Sequence, residues 1–189
     1  SHAGFLPDVV PLAKGLASGV PVGACVVGGR AKGVFKPGNH GSTFGGNPLA
    51  MCGVVTTLDT IKDEGLLENA VRVGDAIRHG LEAALAGVAG VAEIRGMGMM
   101  IGVELDRPCG ELVKMGLDAG LVFNVTADNV IRLLPPLVMN EVEGRQVVER
   151  LVRAPEQRQR TCQVVAVYGV IEPPLADRLA QELLRGGVV

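Results

Sequence analysis

Apolar residues in this chain follow several different periods, and each period predicts a different kind of element. Residues 1–46 carry two short apolar runs, Val9-Val10-Pro11-Leu12-Ala13 and Val20 through Val27, set among Gly and Pro. Unbroken runs of this length, the second rich in β-branched residues, predict buried strands of a parallel or mixed sheet joined by tight turns. From Asn47 the period changes. Met51, Val54, Val55, Leu58 and Ile61 recur at helical spacing, and Pro48 suits a first helical turn because its missing N–H costs nothing there. After Gly65 a second helix is predicted, with Leu67, Ala70, Val71, Gly74, Ile77, Leu81 and Leu85 on its apolar face and Glu68, Arg72, Asp75, Arg78 and Glu82 opposite.

Val91 to Leu105 reads as strand, turn and strand about Arg95-Gly96-Met97-Gly98. A short helix follows from Glu111 to Asp118, closed by Gly120. Two further strands, Leu121 to Val125 and Asn129 to Leu134, end at Pro135-Pro136, where the ladder loses a donor. Asn140 then caps a helix whose Val148, Leu151 and Val152 share a face. Beyond Arg153 the composition turns polar, and Cys162 to Ile171 and Leu175 to Leu184 read as one more strand and one more helix. The alternation of strands and helices makes the fold class α/β.

Composition narrows the function. At 189 residues, 48% of them apolar and 20% charged, the chain has material for a hydrophobic core and too little charge for a disordered polymer. Eighteen basic residues against twenty acidic ones give a formal charge of −2 with no basic run, and aromatics are 3% with no Trp. No nucleic-acid partner is therefore expected. The longest uncharged stretch near the N-terminus, fifteen residues between Lys14 and Arg30, is too short and too rich in Gly for a bilayer span, and no secretory leader is evident. A cytoplasmic location and no membrane are expected. The four cysteines lie far apart without a C-x-x-C pair, so no metal site is expected, and they read as reduced and mostly buried.

Three places offer chemistry. Lys14 is a lone cation that precedes the uncharged Gly-rich stretch; desolvation frees a lysine amine for Schiff-base formation, and the alternative is a solvated lysine at a turn. His40-Gly41-Ser42-Thr43-Phe44-Gly45-Gly46-Asn47 brings two hydroxyls and a Gly-rich backbone to a helix start. That is either a phosphate cradle or an ordinary turn capped by Asn47. Arg132 is charged among apolar neighbours in Val130-Ile131-Arg132-Leu133-Leu134. Its planar fork suits a carboxylate, from a substrate or from a protein Asp or Glu. His79 reads as a surface residue, and His40 has no second base or nucleophile beside it in sequence.

Five stretches taken together resemble the class III, pyridoxal-phosphate-dependent aminotransferases: Pro7 through Leu16, Gly19 through Ala24, His40 through Ala50, Arg95-Gly96-Met97-Gly98-Met99-Met100-Ile101-Gly102, and Ile131 through Leu137. The resemblance covers about residues 1–153. It implies a partial fold-type I transferase: residues 1–64 as the C-terminal portion of the cofactor-binding large domain and the start of a connecting helix, 65–153 as the C-terminal α+β small domain, and 154–189 as an unassigned tail. It implies Lys14 as the lysine that bonds to pyridoxal 5'-phosphate and then moves a proton between substrate carbon and cofactor. Thr43 falls on the hydroxyl that binds the cofactor phosphate of the other subunit of a homodimer, with Ser42 a weaker companion, and Arg132 on the arginine that holds the substrate α-carboxylate. The implied reaction moves the δ-amino group of N-acetylornithine to 2-oxoglutarate, in arginine biosynthesis. Succinylornithine, succinyldiaminopimelate, ornithine and 4-aminobutyrate are neighbouring donors, and a non-catalytic interaction module of the same fold is the alternative of another class. The family's phosphate-binding loop, ring-stacking aromatic and ring-nitrogen aspartate have no match here, and Asp8 is not that aspartate. The expectation is thus the C-terminal part of an aminotransferase, inactive by itself.

Overall fold

A computed structural model describes residues 4–153, 165–166 and 169–170. The chain divides into two compact units, Ser1–Gly65 and Leu66–Val189.

In the first unit, β1 (Val9–Leu12) and β2 (Ala24–Val27) pair antiparallel, Val9 opposite Val27 and Leu12 opposite Ala24. The first apolar run forms a strand over Val9–Leu12, whereas the second does so only over Ala24–Val27. They pair antiparallel in a ribbon of two rather than in the parallel or mixed sheet that the pattern predicts, and most of their residues are exposed, because a two-stranded ribbon has no second layer over its faces. Asp8 clips the ribbon's end: its carboxylate accepts from the backbone N–H of Arg30 at 3.0 Å and from Arg30 Nε at 2.9 Å, while its carbonyl accepts from Gly28.

Helix α1 (Pro48–Asp63) starts where its cap predicts, with Asn47 Oδ1 accepting from the Ala50 N–H at 3.0 Å. Its packed side is lined by small residues. A Cβ on Gly53 would stand 3.2 Å from the Ala17 Cβ, and Ala50 and Ala17 are buried. The predicted apolar stripe is largely solvent-facing instead, with Val55 58% and Leu58 51% exposed. The helix ends at Gly65, whose φ of 61° is in the left-handed region.

The second unit is a two-layer α/β arrangement. Its four-stranded antiparallel sheet has the order β3-β4-β7-β6, formed by β3 (Val91–Met97), β4 (Met100–Leu105), β6 (Asn124–Thr126) and β7 (Val130–Leu133). Helices α2 (Leu66–Ala84) and α4 (Glu141–Arg153) pack together with the sheet around a core of Val73, Ile77, Leu81, Ile101, Val103, Ile131, Leu133 and Val147. On α2 the buried stripe includes Leu66 and Val73, while Leu67 and Val71 are exposed. Close approach depends on glycine: a Cβ on Gly74 would run into the carbonyl of Gly98 in the β3–β4 turn. Asn140 caps α4 by accepting from the N–H groups of Val142 and Glu143, and the Glu143 carboxylate accepts in turn from the Asn140 N–H, a reciprocal box.

A short helix α3 (Leu112–Asp118) leads into β5 (Leu121–Val122), which leaves the main sheet to pair in parallel with β8 (Val165–Ala166). β8 pairs antiparallel with β9 (Gly169–Val170), so the single strand expected over 162–171 is replaced there by two short ones. The helix expected over Leu175 to Leu184 lies outside the described residues. Cys109 is buried, whereas Cys25 and Cys52 are exposed, against the expectation of mostly buried cysteines; Cys162 lies outside the described residues.

Candidate active site

Lys14 stands at the seam between β1 and a single 3-10 turn, Lys14–Ala17. The preceding Ala13 is extended, and Lys14 itself adopts φ 58°, a left-handed conformation that costs a non-glycine residue on the order of 1 kcal/mol or more. Hydrogen bonds of the turn hold that strain in place. Ser18 N–H donates to Gly15, Val20 N–H to Ala17, and the Ser18 and Thr57 hydroxyls meet at 3.0 Å. Thr57 Oγ1 donates to the Gly53 carbonyl at 2.8 Å, so its proton is committed and Ser18 is the donor between the two hydroxyls. Helix α1 thus braces the turn that presents Lys14. The side chain is exposed, and among the described residues no carboxylate pairs with it.

The same unit carries the loop before α1. Ser42, Thr43 and Phe44 are exposed, the Gly45 N–H donates back to the Ser42 carbonyl, and Asn47 Nδ2 donates to the Phe44 carbonyl at 3.0 Å. Asn47 is therefore both helix cap and loop clamp. Neither the Thr43 hydroxyl nor the Ser42 hydroxyl is used by the described residues, and each remains a free donor. His40 meets Phe35 edge to face at 5.5 Å, a packing contact.

In the second unit Arg132 lies on the outer face of the sheet. Cross-strand partners share a face, and the register aligns Arg95, Gly102, Arg132 and Asn124 across β3, β4, β7 and β6. Their neighbours Ile94, Ile101, Ile131 and Leu133 point the other way, into the core or against it. The two arginines of this row have opposite surroundings. Arg95 pairs with both Glu93 and Glu104, and the hydrogen bond from Arg95 to Glu104, followed by that to Glu93, raises its guanidinium above the ordinary arginine range. Arg132 is half-buried and touches no carboxylate among the described residues; its Nε donates to Asn124 Oδ1 at 3.1 Å. Among the described residues of this unit no Asp or Glu pairs with the Arg132 guanidinium, which leaves it able to take a carboxylate.

The one-dimensional pattern does not single out Asn124. Its signal is Ala127-Asp128-Asn129, the turn that fixes which residue of β6 faces Arg132: Ala127 (φ 49°) and Asp128 (φ 64°) are left-handed there. His79 is exposed beside Arg78. A cavity of about 530 Å³ opens among Leu85, Val91, Val103, Phe123, Ile131 and Leu151, but it is an apolar hollow that none of Lys14, Thr43 and Arg132 lines. Burial, and secondarily Glu111, pushes the Cys109 thiol beside it above the usual range, which favours the neutral thiol. Among the described residues no cluster of three metal-ligating side chains occurs, and no helix is long and apolar enough to cross a membrane.

Lys14, Thr43 and Arg132 each lie in one of the stretches that carry the family resemblance, and residues 1–154 match the family Aminotransferase class-III. The chain belongs to this family. It is 53% identical over 150 residues to acetylornithine aminotransferase 1 of Bordetella bronchiseptica, covering 79% of this chain and 38% of that protein. With the acetylornithine aminotransferase of Nitrosomonas europaea the identity is 53% over 147 residues, 78% of this chain and 37% of the relative. Among solved structures, an ornithine aminotransferase of Toxoplasma gondii, in which PLP partly occupies the active site, superposes with a TM-score of 0.75 at 37% identity, over 81% of this chain and 37% of that one. The acetylornithine aminotransferase of Elizabethkingia anophelis gives 0.75 at 31% identity, over 81% and 40%. The fold is a partial α/β fragment of the fold-type I aminotransferases, and the chain spans about 38% of the length of the curated relatives it matches.

Proposed function

We propose that this chain is the part of a pyridoxal-phosphate-dependent aminotransferase that supplies the cofactor lysine and the substrate-carboxylate arginine, with N-acetylornithine as amino donor and 2-oxoglutarate as acceptor. The observation that carries the reading is Arg132, a half-buried guanidinium with a neutral amide as its partner and, among the described residues, no protein carboxylate. The donor chemistry of the chain suits the cofactor: a primary amine outside any ion pair of the described residues at Lys14, and unused hydroxyls at Thr43 and Ser42 beside the start of α1.

Pyridoxal phosphate, when bound, supplies the electron-withdrawing ring that stabilises negative charge on the amine-bearing carbon. In this reading Lys14 would hold the cofactor through Nζ, and that amine, once the substrate's amine has displaced it, would carry the proton between substrate carbon and cofactor. Thr43 donates its hydroxyl proton to the cofactor phosphate of a partner subunit, with Ser42 assisting, in a homodimer. Arg132 binds the substrate α-carboxylate and so orients the substrate toward the cofactor. Residues 1–64 act as the large-domain portion and 65–153 as the small domain.

The experiment is a chimera in which residues 1–153 replace the matching part of the Bordetella bronchiseptica relative. It is expected to transfer amino groups from N-acetylornithine to 2-oxoglutarate faster than from ornithine, the donor named in the Toxoplasma gondii relative. A folded chimera that prefers ornithine overturns the donor assignment, and one whose turnover survives Lys14→Ala overturns the mechanism.

A further inference from the structure

We infer that Asn124 is a positioning residue for Arg132, which fixes the guanidinium end-on toward the ligand while leaving its charge uncancelled; the inference rests on Arg132 being the carboxylate anchor proposed above. Three observations carry it. First, Nε is an obligate donor, so the Asn124 atom 3.1 Å from it is the amide oxygen, and this bond takes up the side edge of the guanidinium. A ligand carboxylate is left the two terminal nitrogens, which form a planar fork of their own. Among the described residues neither terminal nitrogen has a partner.

Second, the pairing is built into the backbone. Asn124 and Arg132 are direct cross-strand partners on β6 and β7, in a register set by the left-handed residues Ala127 and Asp128. The bond therefore pins a flexible side chain before any ligand arrives, so less freedom is lost on binding. Third, the partner is neutral. Arg95, in the same row across the sheet, is engaged by Glu93 and Glu104 and has its charge compensated, whereas an amide orients Arg132 without competing with an incoming carboxylate.

The test uses the full 189-residue chain with glutarate as probe. Its binding is followed through the arginine Nε–H signals in NMR spectra, where Arg132→Lys identifies the Arg132 signal by its loss. Asn124→Ala is expected to weaken glutarate roughly fivefold, the loss of one hydrogen bond. Asn124→Asp keeps the shape and strengthens the bond to Nε, yet it is expected to weaken glutarate more, by roughly tenfold or above, because the new carboxylate neutralises the anchor. Its melting temperature should be no lower than that of the parent. A merely structural role gives the opposite order, with Asn124→Asp harmless and Asn124→Ala the damaging change. Asn124→Asp binding glutarate as the parent does overturns the positioning role alone. Glutarate affinity unchanged in Arg132→Lys overturns the anchor assignment and the inference with it.

Discussion

Gly74 shows how a single missing atom holds the second unit together. Its Cβ would collide with the Gly98 carbonyl, a backbone group that cannot swing aside, whereas a Cβ on Gly80 of the same helix would meet only the end of the Val148 side chain at 3.1 Å. Alanine gains about 1 kcal/mol of helix propensity at either position. At Gly80 that gain offsets a small readjustment; at Gly74 it is outweighed by overpacking that costs about 1–3 kcal/mol, or more where backbone must move. Urea unfolding should therefore find Gly74→Ala less stable than the parent and Gly80→Ala within about 1 kcal/mol of it, and a neutral Gly74→Ala would contradict the packing described here. Which residues are legible in sequence follows from the same contrast. Lys14 and Arg132 stand out because a charge among apolar or Gly-rich neighbours is anomalous in one dimension. Gly74 and Asn124 do not, because what they meet is Gly98 and Arg132, brought to them only by the fold. The cysteines mislead for a related reason: small apolar residues are buried only where something covers them, and Cys25 lies on a two-stranded ribbon.

Elements bounded by local chemistry are readable, and elements defined by distant partners are not. Asn47 and Asn140 mark the starts of α1 and α4 because a cap bonds within three residues of itself. The helical period of α1 is real, but the side it buries is chosen by the small residues Ala50, Gly53 and Thr57, which a search for large apolar residues passes over. On α2 the same search takes Leu67 and Val71 for Leu66 and Val73, an error of about one residue, or 100° around the helix axis, at Leu66. Strand pairing is the least local property of all. The apolar runs of β1 and β2 read as buried strands of a larger sheet, and Leu121 to Val125 as one strand, although its residues divide between β5 and β6, which belong to different sheets.

At the scale of the whole molecule the candidate residues belong to separate units, Lys14 and Thr43 to the first and Arg132 to the second, within a chain that spans about 38% of its curated relatives' length. The proposed sharing of sites between subunits has its own test in the chimera. Mixing inactive Lys14→Ala and Thr43→Val subunits should produce heterodimers in which one site keeps both residues, so activity should rise above either parent; verified heterodimers without recovery would place Thr43 on its own subunit's cofactor. The central claim is that Lys14, exposed on a turn strained at φ 58°, is the cofactor lysine. Borohydride reduction of the chimera loaded with pyridoxal phosphate, followed by peptide mapping, tests it most directly. The pyridoxyl group is expected on Lys14, and its appearance on Lys32 or Lys36, with Lys14 unmodified, would contradict the account.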